Sequence, residues 1–161
     1  MTLRLLPSVS VLVLLAAVAC STPAPQPAPT PATPPSPPAI HQAAVEQSAQ
    51  DIAAALVAGD AAKAAGQYAT DAVFVNARGK FDTRAGIEAF WAGALKTPAA
   101  GKDLKLEIVK WGTSGDLAYS VSRFTGGITA KTGYVLAVSE RQADGSLKTV
   151  AQVSIPDPPG K

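Results

Sequence analysis

The sequence predicts an α+β domain, and three observations carry that expectation. Apolar residues recur at helical spacing in two stretches before residue 97. They alternate with polar ones in four runs between 104 and 155, and short Gly/Asp/Ser/Thr turns separate those runs. Helices first and hairpin-linked strands afterwards imply helices packed on one face of a mainly antiparallel sheet.

A chain of 161 residues with 47% apolar content holds one domain with its own core. The formal net charge of +2 is carried by only 16% charged residues, and the basic ones from Lys63 to Lys148 are interspersed with acidic ones. Counterion release needs a concentrated basic face, so no nucleic-acid partner is expected. Cys20 and His41 are the only residues of their kinds, which leaves no disulfide framework and no Cys/His metal site within one chain. No cofactor and no metal are expected.

Residues 1–19 read as a signal peptide. Arg4 precedes an apolar run over 9–19 that is too short for a membrane span and ends in small residues. The segment Ala17-Val18-Ala19-Cys20 resembles the lipobox of bacterial lipoproteins, although leucine is commoner where Ala17 stands. The resemblance implies that the chain is cut before Cys20 and that the cysteine is lipidated, which would also consume an otherwise reactive thiol. The protein would then be tethered to a membrane on the periplasmic side of a bacterial cell envelope. Ser21, in place of the aspartate that retains some lipoproteins in the inner membrane, favours the outer one. The rest of the segment 20–39 has no charged residue and nine prolines. In polyproline II geometry its ~19 residues would make a semi-rigid spacer of about 60 Å.

The domain is expected over 40–156. Val45, Ala49, Ile52 and Leu56 form one face of a helix over 40–58, which Gly59 stops. Asp60 is placed to cap a second, short helix that Tyr68 closes, with Thr70 and Asp71 in the turn that follows. In the first strand Ala72, Phe74 and Asn76 alternate with Val73 and Val75, and Arg78-Gly79-Lys80 reads as a turn. Asp82 or Thr83 can cap a third helix to about Lys96, whose stripe of Ile87, Phe90, Trp91 and Leu95 serves the core. The remaining strands are expected over 104–111, 117–124, 132–141 and 147–155. The tail 157–161, rich in proline, is expected to be loose.

Several of these stretches together resemble the NTF2-like superfamily, in its ketosteroid isomerase-like, SnoaL-like branch. They are Gly59-Asp60, the run Tyr68-Ala69-Thr70-Asp71-Ala72-Val73-Phe74-Val75, the helix Arg84-Ala85-Gly86-Ile87-Glu88-Ala89-Phe90-Trp91, Ser114-Gly115-Asp116-Leu117-Ala118-Tyr119, and Ala143-Asp144-Gly145. The likeness covers roughly 40–155 and rests on order and spacing. It implies a cone: a strongly curved sheet wrapped around three N-terminal helices.

Isomerases of this kind use an aspartate base on the first strand, with a tyrosine and a protonated aspartate donating to the developing oxyanion. Carried over position by position, the resemblance puts Asn76, Ile52 and Ala137 in those places. An amide has no lone pair basic enough to take a proton near neutral pH, and two aliphatic groups donate nothing, so no catalytic residue is assigned. His41 reads as a solvated residue at the helix start, and Asp103 and Glu107 as edge partners for Arg123. Strand parity and the resemblance turn Asn76, Tyr119, Val121, Arg123, Val135, Ala137, Ser139 and Gln152 towards the cone interior. Among these, Asn76, Tyr119, Arg123, Ser139 and Gln152 are the candidate binding residues for a small, partly apolar ligand. The opposite sheet face, with Tyr134, Leu136 and Val138, is a candidate surface for a homodimer. The expected function is thus a membrane-tethered binding or accessory module. The rivals are an enzyme using other cavity residues and a dimeric scaffold.

Overall fold

A computed structural model describes residues 39–97, 101–128 and 131–158. The signal peptide, Cys20 and the proline tract up to Pro38 lie outside the described residues. The elements run α1 (Gln42–Val57), α2 (Ala61–Ala65), β1 (Tyr68–Asn76), β2 (Gly79–Asp82), α3 (Thr83–Ala94), β3 (Lys105–Ser114), β4 (Leu117–Thr125), β5 (Thr132–Arg141) and β6 (Leu147–Pro156).

Local chemistry accounts for the helix ends. Gly59 takes φ +77°, and the N–H groups of Gly59 and Asp60 close back on the carbonyls of Leu56 and Ala55, a Schellman ending of α1. The Asp60 carboxylate then accepts from the Lys63 N–H at 2.8 Å and starts α2. At α3 the side-chain cap comes from Thr83, whose Oγ1 accepts from the Gly86 N–H. Asp82 instead pairs with Lys80. No helix among the described residues is long and apolar enough to cross a membrane.

The strands form one open sheet in the order β2-β1-β6-β5-β4-β3. Only β1 and β6 run parallel among these pairs, so the sheet is mainly antiparallel, as expected. Two details differ from the expectation. Tyr68 opens β1 rather than closing α2, and a register shift between Tyr68 and Val73 takes up the turn-favouring Thr70 and Asp71 as a bulge. The segment read as a turn after Asn76 continues into β2, which pairs with β1 from Asn76↔Gly79 to Val73↔Asp82. With one apolar residue in four, β2 lacks the alternation that marks a strand.

The core lies between the helices and the inner sheet face. Tyr68, Phe74 and Ile87 are fully buried, and Phe74 stacks on Trp91 with ring centroids 5.3 Å apart and meets Phe90 edge-on at 5.4 Å. Ala64 and Ala65 are likewise fully buried, small enough for α2 to approach α3 closely. Arg84 ties the start of α3 to β1 by donating from Nε to the Tyr68 carbonyl at 2.8 Å.

A candidate ligand cavity between the first helix and the sheet

The stripe of α1 that the sequence assigns to the core borders a cavity of about 70 Å³, several times what one buried water needs. Val45, Ala49, Ile52 and Leu56 form its helical wall, and Trp91 contributes from α3. Gln50, one step round α1, donates to the Leu106 carbonyl at 3.0 Å and holds the helix against β3. The opposite wall is the inner face of β4, β5 and β6, where cross-strand pairing sets Ser120 beside Ala137 beside Gln152, and Ser122 beside Val135 beside Ser154.

The two walls differ in chemistry. The helical wall is mostly hydrocarbon, whereas the sheet wall carries Ser120, Ser122, Ser139, Thr149 and Gln152, all buried. Among the described residues, the hydroxyls of Ser120, Ser122 and Ser139 make no hydrogen bond to protein. Buried polar groups are normally satisfied, so a row of open hydroxyls on a cavity is a row of sites for a guest. No lining residue carries a formal charge.

The polar end of the cavity is organised by Tyr68. Its hydroxyl, fully buried, donates to Gln152 Oε1 at 2.9 Å. Burial raises the Tyr68 pKa well above its ordinary value near 10, against the weaker opposing pull of Trp91 and Gln152 at the same hydroxyl. Trp91 Nε1–H is buried and has no hydrogen-bond partner among the described residues.

Of the candidate binding residues, Ser139 and Gln152 line the cavity with their side chains. Tyr119 borders it through the strand backbone between buried Ala118 and Ser120. Its ring lies on the other sheet face across Gly112, where an added Cβ would stand 2.5 Å from the ring. Asn76 ends β1 away from the lining, and its Oδ1 accepts from the Arg78 N–H at 2.8 Å. Arg123 also faces outward. It makes a two-pronged pair with Asp157, at 2.9 and 2.7 Å, and lies over the Tyr134 ring at 4.8 Å. Its partner is thus Asp157, not Asp103 or Glu107, and Asp157 is further held by the Thr132 hydroxyl at 2.7 Å.

The inward parity expected for β4 is therefore reversed: Ala118, Ser120, Ser122 and Phe124 face the cavity, and Tyr119, Val121 and Arg123 face away. Parity on β5 and β6 is as expected for Val135, Ala137, Ser139 and Gln152. Of the three positions matched to isomerase residues, Ile52 and Ala137 line the cavity and Asn76 does not. His41 stands exposed at the N-cap of α1 without a side-chain cap bond. Sequence reasoning missed Ser120 and Ser122 as lining residues, and Tyr68 as the hydrogen-bond partner behind Gln152; the alternation of serines with larger side chains along β4 was the available signal.

The fold recurs in solved structures. Similar ones include a ketosteroid isomerase-like protein from Erwinia carotovora atroseptica (20% identity, TM-score 0.61, covering 73% of this chain and 96% of that one). Another is a domain of unknown function with a cystatin-like fold from Nostoc punctiforme (17%, 0.63, 73% and 78%). A third is an NTF2-like protein of unknown function from Shewanella oneidensis (15%, 0.60, 70% and 97%). At these identities the likeness is one of fold. No curated protein matches the sequence. The family model of the SnoaL-like domain matches residues 49–147, well over half of the chain, and the protein belongs to the SnoaL-like domain family of the NTF2-like fold.

Proposed function

We propose that the domain is a binding module for a small, uncharged, partly apolar molecule, held near a membrane by lipid at Cys20. The carrying observation is the cavity with one mostly hydrocarbon wall and one wall of buried serines whose hydroxyls have no protein partner and stay open. Such a wall accepts a guest with one apolar and one polar side and disfavours an ion, because no lining charge offsets the loss of hydration. The same lining lacks a group that would take or give a proton near neutral pH, which supports binding over catalysis. The test is an NMR titration of the full chain with cyclopentanone and with methylenecyclopentane, following the methyl groups of Val45, Ile52, Leu56 and Val135. Saturable shifts confined to these groups support the module, and no shift with either compound removes it.

The tether rests on the lipobox-like sequence. Mature protein from its own host should begin at Cys20 and carry acyl mass, and an unmodified thiol there would defeat the proposal.

A second reading adds a back-to-back pair. The outer sheet face exposes Tyr119, Tyr134, Leu136 and Ile155, and the Arg123 charge on it is paired with Asp157, which leaves an apolar patch over which two copies would meet. Light scattering should show a dimer that Leu136→Asp dissociates; a monomeric wild type rules the pairing out.

A further inference from the structure

We propose that residues 42–49, the first two turns of α1, form a flap over the cavity, held shut by Ile40 packed against Val45. The inference rests on the binding reading above and concerns how a guest enters.

The buried apolar residues fall into two groups, and both border the cavity. The main core takes Ile52, Ala55 and Leu56 from the second half of α1. The other group is small: buried Ile40, Val45 and Ala118, with Ile108, Trp111 and Leu147 packed partly exposed around them. Ile52, Leu56 and Trp91 reach the cavity from the main core, Val45 and Ala118 reach it from the small group, and Ser48 and Ala49 line it on the stretch of α1 between. The front half of the helix thus has few apolar contacts to hold it, which is the pattern of a segment that opens at low cost. At the other end of the cavity Leu104 and Ile128 pack against the main core.

Polar contacts do not make up the difference. His41, at the N-cap, makes no side-chain bond to the free N–H groups of the first turn, and that turn has no acidic residue to complement the positive end of the helix. What holds the start is apolar. Ile40 stands just before the N-cap and Val45 four residues after it, the spacing of a hydrophobic staple, and the two are buried in one cluster. Among the described residues, the side-chain hydrogen bonds of this half stay within the helix, from Gln42 to Glu46 at 2.6 Å and from Gln47 to Asp51 at 2.7 Å. Gln50 is the first to reach the sheet, at the Leu106 carbonyl, and so marks the hinge. Parting the staple frees the turns before Gln50 and opens the cavity beside Ala118 and Ser120, while Ile52 and Leu56 stay anchored.

Thiol labelling tests the flap without any ligand. A full chain with Cys20→Ser and Ser120→Cys carries one thiol, buried on the cavity wall, which methyl methanethiosulfonate reaches only when the cavity opens. Labelling, followed by mass, should run at least about tenfold faster than global unfolding allows, the latter measured by urea denaturation of the same protein. His41→Asp supplies the missing cap and should slow labelling about fivefold. Ile40→Ala removes the staple and should speed it about tenfold or more; if that variant does not fold, Ile40→Val should speed it roughly threefold. Labelling no faster than global unfolding, or equally fast in the parent and the variants, overturns the flap and leaves the cavity reading standing. Labelling that follows the helix start in a protein that binds neither test compound removes the binding reading and leaves the flap.

Discussion

The hydroxyl of Tyr68 donates to Oε1 of Gln152 at 2.9 Å across 84 residues of sequence, and both side chains are buried. The contact joins the first strand of the sheet to the last and sets the orientation of the one amide in the cavity wall. Tyr68→Phe leaves that amide oxygen without its donor and should destabilise the fold by about 1–3 kcal/mol, measured by urea unfolding. A cost near zero would mean that the bond contributes nothing net.

The same tyrosine gives the protein an alkaline limit. Burial favours the neutral phenol in the folded state, raising its pKa above the ordinary value near 10 that it has when unfolded. Stability from this group is complete below that ordinary value and is lost as pH rises towards the folded pKa, because the unfolded chain releases the proton first. Of the three tyrosines, Tyr68 should form phenolate only on unfolding, seen as a step in phenolate absorbance that coincides with the loss of structure and is absent in Tyr68→Phe.

Much of the fold was legible because its signals are local. Val45, Ala49, Ile52 and Leu56 repeat at helical spacing, and Gly59-Asp60 combines a left-handed stop with a cap. Strand β4 misled because the sheet is apolar on its outer face, while the inner face takes Ser120 and Ser122 for the cavity. The rule that sends Tyr119 and Val121 inward fails where the interior needs hydroxyls. Asn76 stands at a strand end, where its side chain serves the turn. The meeting of Tyr68 and Gln152 has no local signature, since it arises only when β6 packs beside the head of β1.

Close packing predicts one severe substitution. A Cβ added at Gly133 would stand 2.3 Å from the Ile155 carbonyl oxygen and 2.6 Å from the Phe124 ring, and the carbonyl belongs to the neighbouring strand. Gly133→Ala should cost roughly 1–3 kcal/mol or more by overpacking. Gly112→Ala meets only the partly exposed Tyr119 ring, which can swing aside, and should cost less; equal thermal midpoints for the two would contradict this packing.

Thr83 is β-branched and holds φ at +71°, a conformation that its side chain resists. Asn tolerates that conformation and can keep the cap to the Gly86 N–H, so Thr83→Asn should stabilise the protein by roughly 0.5–1 kcal/mol. An unchanged or lower melting temperature would show that Thr83 is unstrained or that its methyl group packs usefully.

At the other end of the chain, the Arg123 guanidinium and the Thr132 hydroxyl hold the Asp157 carboxyl below the usual carboxylate range. The stabilisation they share is present above the carboxyl's unfolded pKa and is lost as pH falls through the folded one. Asp157→Asn should therefore flatten the acid side of the stability profile slightly and speed amide exchange where Gly133 faces Pro156. An unaltered exchange rate there would show that the ion pair does not anchor the strand end.

The central claim is that the space between α1 and the sheet exists to hold a molecule. Native mass spectrometry of the protein purified from its own host, beside an Ala137→Phe variant that fills the cavity, tests it most directly. The account predicts a retained small molecule on the wild type that is missing from the variant; a wild type with no added mass, or the same mass on both, would contradict it.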